Sequence, residues 1–219
     1  MTRRWAGAAL APFLLGLTFG AIVSVLNGWE FVLGVAASLV LGVGWSWAAV
    51  AVVMGALAGR PMRASMRGAA SLVMAVVGYY ATDLARGVYR TVEQTGAHAK
   101  TFTDWHSALM DLGFWSVLAV VSGLPLGLVG WGTHRRGLTG LACQLAVPAA
   151  AVLEMAWRLS GESRFQPHPG VARATWTGVG LAAIAAAAVL VARQLRRPPA
   201  AESGARDTRA PAQPPAARS

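Results

Sequence analysis

Two carboxylates stand inside otherwise apolar stretches: Asp83 in GYYATDLARG (78–87) and Glu154 in AAAVLEMAWR (149–158). Ionisable groups at membrane depth are costly, so they pair with a partner or serve a function. On a helix, Tyr79, Asp83, Arg86, Arg90 and Glu93 follow 3–4 spacing and share one face. Glu154 likewise shares a face with Cys143, Val147 and Ala150, and meets Arg158 one turn on. Three chemistries fit this pattern. The first is a set of local ion pairs within an aromatic interfacial belt of Trp29, Tyr80, Trp115, Trp157 and Trp176. The second is an outward-facing polar pocket built from Tyr79, Asp83, Arg86, Arg90, Glu154 and Arg158. The third is an intramembrane acid/base couple of Asp83 and Glu154. The pocket predicts a contact between Arg86 and Glu154 across two helices.

Little else carries chemistry. His98, His106, His134 and His168 fall in expected loops, and no H-x-x-x-H or H-E-x-x-H pair is present to grip a metal. His98, Asp104 and His106 are the nearest approach to a ligand set. The single cysteine, Cys143, excludes an intramolecular disulfide and a cysteine metal cage. No G-x-S-x-G, Walker loop or G-x-G-x-x-G turn occurs. The sequence therefore assigns no catalytic residue, no metal and no cofactor.

The elements that must position the two carboxylates follow from composition. Hydrophobic residues make up 55% of the chain and charged residues 13%, where a soluble domain carries about a quarter charged. About 20 apolar residues span a hydrocarbon core of roughly 30 Å. Six runs are long enough: Ala8–Leu26, Phe31–Leu57, Gly68–Ala85, Leu112–Trp131, Leu138–Trp157 and Ala174–Ala192. The expected fold is all-α, a polytopic membrane bundle of about six helices over residues 1–192. The second run is overlong, and Gly42 and Gly44 make a bend plausible within it. The first run exceeds the roughly 7–15 residues of a secretory h-region and no A-x-A site follows, so it reads as a retained helix.

Charge sets the orientation. Arg3 and Arg4, then Arg60, Arg63 and Arg67, then Arg135 and Arg136, then Arg193, Arg196 and Arg197 all mark one side. The alternate loops are poorer in base or balanced, so both termini are expected in the cytoplasm. The net charge of +10 is thus spread over helix ends and a tail, a distribution that argues against nucleic acid. Arginine supplies almost all of it, Lys100 being the sole lysine; with the abundant alanine this points to a GC-rich bacterial genome and a bacterial plasma membrane. Residues 193–219, rich in Pro, Ala and Arg, read as a disordered cytoplasmic tail. In the longest outer loop, residues 86–111, the third helix is expected to continue to Thr95 and stop at Gly96. Thr101 and Asp104, at capping-box spacing, would then start a helix near Phe102, giving a short helical lid.

Small residues recur four apart: Gly16 and Gly20, Gly55 and Gly59, Gly123 and Gly127. They predict close backbone packing inside the bundle, with dimerisation as the other use. GLTFG (16–20) and GLPLG (123–127) resemble each other, as the halves of an inverted repeat would, and Pro125 and Pro148 offer helix breaks.

The order GYYATDLARG (78–87), FW (114–115), SGLPLGLVG (122–130), HRRG (134–137) and the late Glu154 resembles a family of small actinobacterial six-helix membrane proteins of unknown function. That resemblance covers most of residues 10–192 and implies a similar bundle, with no activity to carry over. The helix count is also similar to that of the substrate-capture subunits of energy-coupling-factor importers. The leading expectation is a non-enzymatic multi-pass protein whose partners are the lipid bilayer and a small-molecule ligand, bound or moved through its external face. The alternatives are a membrane-embedded enzyme using Asp83 and Glu154, and a structural subunit of a membrane complex.

Overall fold

The computed structural model describes residues 3–95 and 98–196, with side chains described over 10–92 and 100–196. In chain order the elements are α1 (Arg3–Asn27), α2 (Val32–Leu41), α3 (Gly44–Ala56) and α4 (Pro61–Ala85), then strands β1 (Arg90–Thr95) and β2 (His98–Thr103). The long helices α5 (Trp105–Gly132), α6 (Gly137–Gly161) and α7 (Pro169–Leu195) follow, with a 3-10 turn at Ser163–Phe165 between the last two. Five helices are long and apolar enough to cross a membrane, and a sixth crossing is made if the bent pair α2–α3 counts as one. The all-α bundle expected from the apolar runs is present. The proposed tail lies almost wholly outside the described residues.

Local chemistry explains most element ends. Pro61 and Pro169 occupy the first turn of α4 and α7, where a missing N–H costs nothing. α4 stops at Gly87, which adopts φ +76°. Gly87 N–H donates to the Leu84 carbonyl and Val88 N–H to the Asp83 carbonyl, the double bond of a Schellman stop.

The expected continuation of this helix to Thr95 is therefore corrected, and so is the helical lid. Residues beyond Gly87 form an antiparallel hairpin in which Arg90 pairs with Thr103 and Thr91 with Phe102. β-branched and aromatic residues at 91, 92 and 101–103 suit a pleated strand better than a helix. Gly96, the expected stop, lies outside the described residues. The helix after the hairpin begins later than Thr101 would place it. Asp104 is the cap, and its carboxylate accepts from Ser107 N–H at 3.0 Å and Ser107 Oγ–H at 2.6 Å. Those bonds hold the Asp104 carboxyl below its usual range.

α4 is the centre of the bundle. Gly16 and Gly20 of α1 lie against the Ser71 and Ala75 carbonyls, and Gly78 of α4 against the Leu17 carbonyl. On its other side Gly68 meets Gly123 and Gly127 of α5, while Gly55 and Gly130 close α3 onto α5. A Cβ at any of these positions would collide with backbone, so the small residues set the interhelical distance. Gly59 differs: it has open space around it. Both five-residue glycine motifs thus grip α4. An inverted repeat would pack α5 along α7 as α1 packs along α4, and among the described residues that packing does not form. α5 and α6 also run through Pro125 and Pro148 as continuous helices.

α6 and α7 form a separate pair that docks on the bent segment. Val43, Met155, Ala172 and Trp176 make the buried cluster that joins them, with Leu39 and Trp45 packed around it. A second cluster, Ala51, Leu72, Val76 and Ala119, ties α3, α4 and α5 together. Elsewhere the long helices present bare apolar side chains, such as Val117 and Val121 on α5 and Leu181 and Ile184 on α7. Such faces suit hydrocarbon as solvent.

Candidate functional site

The bundle is interrupted at the break between α2 and α3, which meet at 58°. Val43 is extended there (φ −105°, ψ 158°), between Gly42 and Gly44. A break inside a membrane-length span leaves backbone groups without their helical partners, and each needs another. Ser46 takes the carbonyl side: its Oγ–H lies 2.7 Å from both the Leu41 and Val43 oxygens. Glu154 of α6 takes the amide side. Gly44 N–H donates to its Oε1 at 3.0 Å and Trp45 N–H to its Oε2 at 2.9 Å. A carboxylate at a helix N-terminus also meets the positive end of the helix dipole.

Arg158, one turn along α6, completes the arrangement. Its Nε and Nη2 both donate to Glu154 Oε1 at 3.1 Å, and its Nη1 donates to Glu162 Oε2 at 2.7 Å. The guanidinium also lies 5.6 Å from the centre of the Trp176 ring. Trp176 is fully buried, and its indole N–H donates to the Leu39 carbonyl at 3.4 Å. Trp176 is therefore no part of an interfacial belt but the anchor that holds α7 against α2. The i,i+4 pair of Glu154 and Arg158 follows the sequence spacing.

The other carboxylate has a separate set of partners. Asp83 is buried, accepts from Ser24 Oγ–H of α1 at 2.6 Å, and lies 4.0 Å from Arg86. Arg86 Nη1 donates to the Ser24 carbonyl, so Asp83 and Arg86 clamp one residue of α1 from two sides. The expected contact of Arg86 with Glu154 does not form, because Ser24 takes the guanidinium first. Nor do Arg90 and Glu93 continue the helical face of Asp83, since Gly87 ends the helix and places both in β1. Nearer the hairpin, Tyr89 donates to Asp111 Oδ2 at 2.9 Å. Burial, reinforced by that bond to Asp111, pushes the Tyr89 hydroxyl above its ordinary value.

Between these two clusters lies a cavity of about 610 Å³. Its deep walls are apolar: Val23 of α1, Leu72 and Val76 of α4, and Leu118, Ala119 and Leu126 of α5. Trp47, Tyr79, Tyr80 and Trp115 add aromatic surface. Polar groups gather toward the hairpin end, where Asn27 Nδ2–H donates to Tyr79 Oη at 3.0 Å. Gly44, Glu154 and Arg158 line one side, so the break itself forms part of the wall.

Of the six residues in the expected pocket, Tyr79, Glu154 and Arg158 line this cavity. Asp83 and Arg86, at the end of α4, turn to Ser24 of α1 and do not line it, and Arg90 lies in the hairpin. Ser24 and Ser46 escaped sequence reasoning, since a serine in an apolar run carries no signal about which carboxylate or carbonyl it will meet. Among the described residues no three His, Cys, Asp or Glu side chains converge as metal ligands. Comparison with protein-family models, with curated proteins and with solved structures finds no match.

Proposed function

We propose that this chain is a non-enzymatic multi-pass protein of a bacterial plasma membrane, with both termini in the cytoplasm, and that it binds a small molecule in the cavity beside the helix break. The observation that carries this reading is the cavity's place and lining. It sits where a membrane helix is discontinuous, is mostly apolar, and holds a few convergent polar groups, the usual composition of a ligand pocket. Its size lies within the roughly 300–1,000 Å³ typical of small-molecule sites. The positive-inside arginine pattern supports the orientation, which would put the hairpin and the cavity's polar end outside.

An acid/base role for Asp83 and Glu154 is the weaker alternative. Each carboxylate is engaged by different helices, and Asp83 does not line the cavity.

Two experiments test the proposal. Reporter fusions after residues 28, 100 and 166 should read external, and those after 64, 135 and 200 cytoplasmic. Native mass spectrometry of protein ejected from nanodiscs should show a bound small mass that Ala48→Trp, which fills the cavity, abolishes. Wild type and variant without any adduct, and without stabilisation by any compound of a broad thermal-shift panel, would remove the binding reading.

A further inference from the structure

The shape of the gap between α5 and α6 says more about the ligand. These helices meet where they leave their connecting turn: Cys143 fills the space beside Gly132, and Gln144 Nε2–H donates to the Thr133 carbonyl at 2.7 Å. Higher up they part. Leu118 and Ser122 line the cavity from α5 yet remain exposed, Leu118 to 40%. Across the gap, Glu154 and Arg158 line the same cavity from α6. Ser122 lies eleven residues below Asp111, or about 16 Å along the helix axis, which is close to mid-bilayer in a core of roughly 30 Å. An opening at that depth faces lipid chains.

Resting on the small-molecule reading above, we propose that the cavity is entered sideways from the lipid, between α5 and α6, and takes a single-chain amphiphile with an uncharged or zwitterionic head. The chain lies over Leu72, Val76 and Leu126, and the head lies among Asn27, Tyr79 and the Glu154–Arg158 pair. The length fits: Leu72 is seven residues below Tyr79 on α4, about 10 Å, which lies within the roughly 15 Å depth of one leaflet's hydrocarbon. The charge fits as well. Around the polar end Asp83, Arg86, Glu154, Arg158 and Glu162 are three acids and two bases already bonded to one another or to backbone. The acids exceed the bases by one, so an anionic head would meet like charge there or have to break one of these pairs. The Asn27 amide and Tyr79 hydroxyl offer neutral hydrogen bonds instead.

The test uses the full chain in phosphatidylcholine nanodiscs. A nitroxide on Ser122→Cys, in a Cys143→Ser background, should relax strongly with oxygen and weakly with the water-soluble nickel complex Ni-EDDA. A lysophosphatidylcholine bearing a mid-chain diazirine should crosslink to α4 and α5 peptides. Ala48→Trp and Ala119→Trp, which fill the cavity from two different helices, should each cut that yield by about tenfold, with melting temperatures showing that both variants fold. A lysophosphatidic acid of the same chain length should compete less well than unlabelled lysophosphatidylcholine. Nickel access exceeding oxygen access at residue 122 would overturn lateral entry. It would leave a cavity filled from the aqueous side, and the adduct experiment above would still read that. Crosslinking that neither filling variant lowers, or equal competition by the anionic lipid, would overturn the amphiphile assignment.

Discussion

Replacing Glu154 with alanine removes the acceptor of two backbone N–H groups and one of the two carboxylates on Arg158. Hydrogen bonds to a charged group contribute about 1.5–3 kcal/mol each, and a buried donor left without a partner costs about 1–3 kcal/mol. The Glu154 and Arg158 side chains are each 19% exposed, so water from the polar end recovers part of the loss. Arg158 also keeps its bond to Glu162. The two figures describe one loss, and at the lower end of the first range the two bonds come to about 3 kcal/mol for Glu154→Ala. By globular scaling for a chain of this size that is a fall of roughly 6–12 °C in melting temperature.

Glu154→Gln retains one oxygen acceptor but turns an amide N–H₂ toward the other backbone donor, so it should fall between wild type and alanine. Glu162→Ala removes the outer pair and a long bond from Gln166, and should cost under about 1 kcal/mol. Thermal unfolding in detergent, followed by circular dichroism, reads all three. A Glu154→Ala variant melting within about 1 °C of wild type would mean that the break does not need its carboxylate, and the account of the α2–α3 junction would fail.

Three further outcomes follow from the same geometry. Gly127→Ala should destabilise by about 1–3 kcal/mol, because its Cβ would strike the Ala64 carbonyl, whereas Gly178→Ala in open space on α7 should be neutral or gain up to about 1 kcal/mol; thermal melts of the pair decide this. Asp83→Ala, which orphans the buried Ser24 hydroxyl, should cost about 2 kcal/mol in the same melts, and Asp83→Asn, which keeps an acceptor, clearly less. The raised Tyr89 hydroxyl binds its proton more tightly in the folded state, so its contribution is full below its ordinary value of 10.0 and declines as pH rises above it. Phenolate absorbance should therefore show a tyrosine titrating late that Tyr89→Phe removes, and that variant should lose less stability between neutral and strongly alkaline pH.

The bundle could be read from the sequence because hydrocarbon imposes so simple a demand: about twenty apolar residues per crossing. The glycines at 16, 20, 123 and 127 were equally plain, since small residues four apart admit backbone contact whichever helix arrives. Gly42 and Gly44 announced a bend without saying how its amides would be satisfied. That depended on Glu154, 110 residues away, and a side chain's spacing along its own helix cannot report a partner so distant. The hairpin was missed for a local reason. Gly96 looked like the helix stop, but Gly87 comes first and can take the positive φ that a Schellman end requires, after which the β-branched residues govern. Spacing along α4 cannot name the acceptor of Arg86, because Ser24 lies on a helix whose packing against α4 the glycine contacts determine.

Two demands meet at Glu154, and they can be separated. The break in a membrane helix must have its amides satisfied whether or not anything binds, so the carboxylate has a structural reason to be there. That reason does not explain the space beside it. A junction that existed only to bend a helix could be packed shut by side chains from α5, yet Leu118 and Ser122 line a cavity and remain exposed. Loss of stability in Glu154→Ala therefore speaks for the junction alone. Loss of ligand in Ala48→Trp, with the junction intact, speaks for the cavity. A protein in which the first variant falls and the second binds as wild type would be a bundle with a capped kink, and the cavity would be a consequence of that kink with no function of its own.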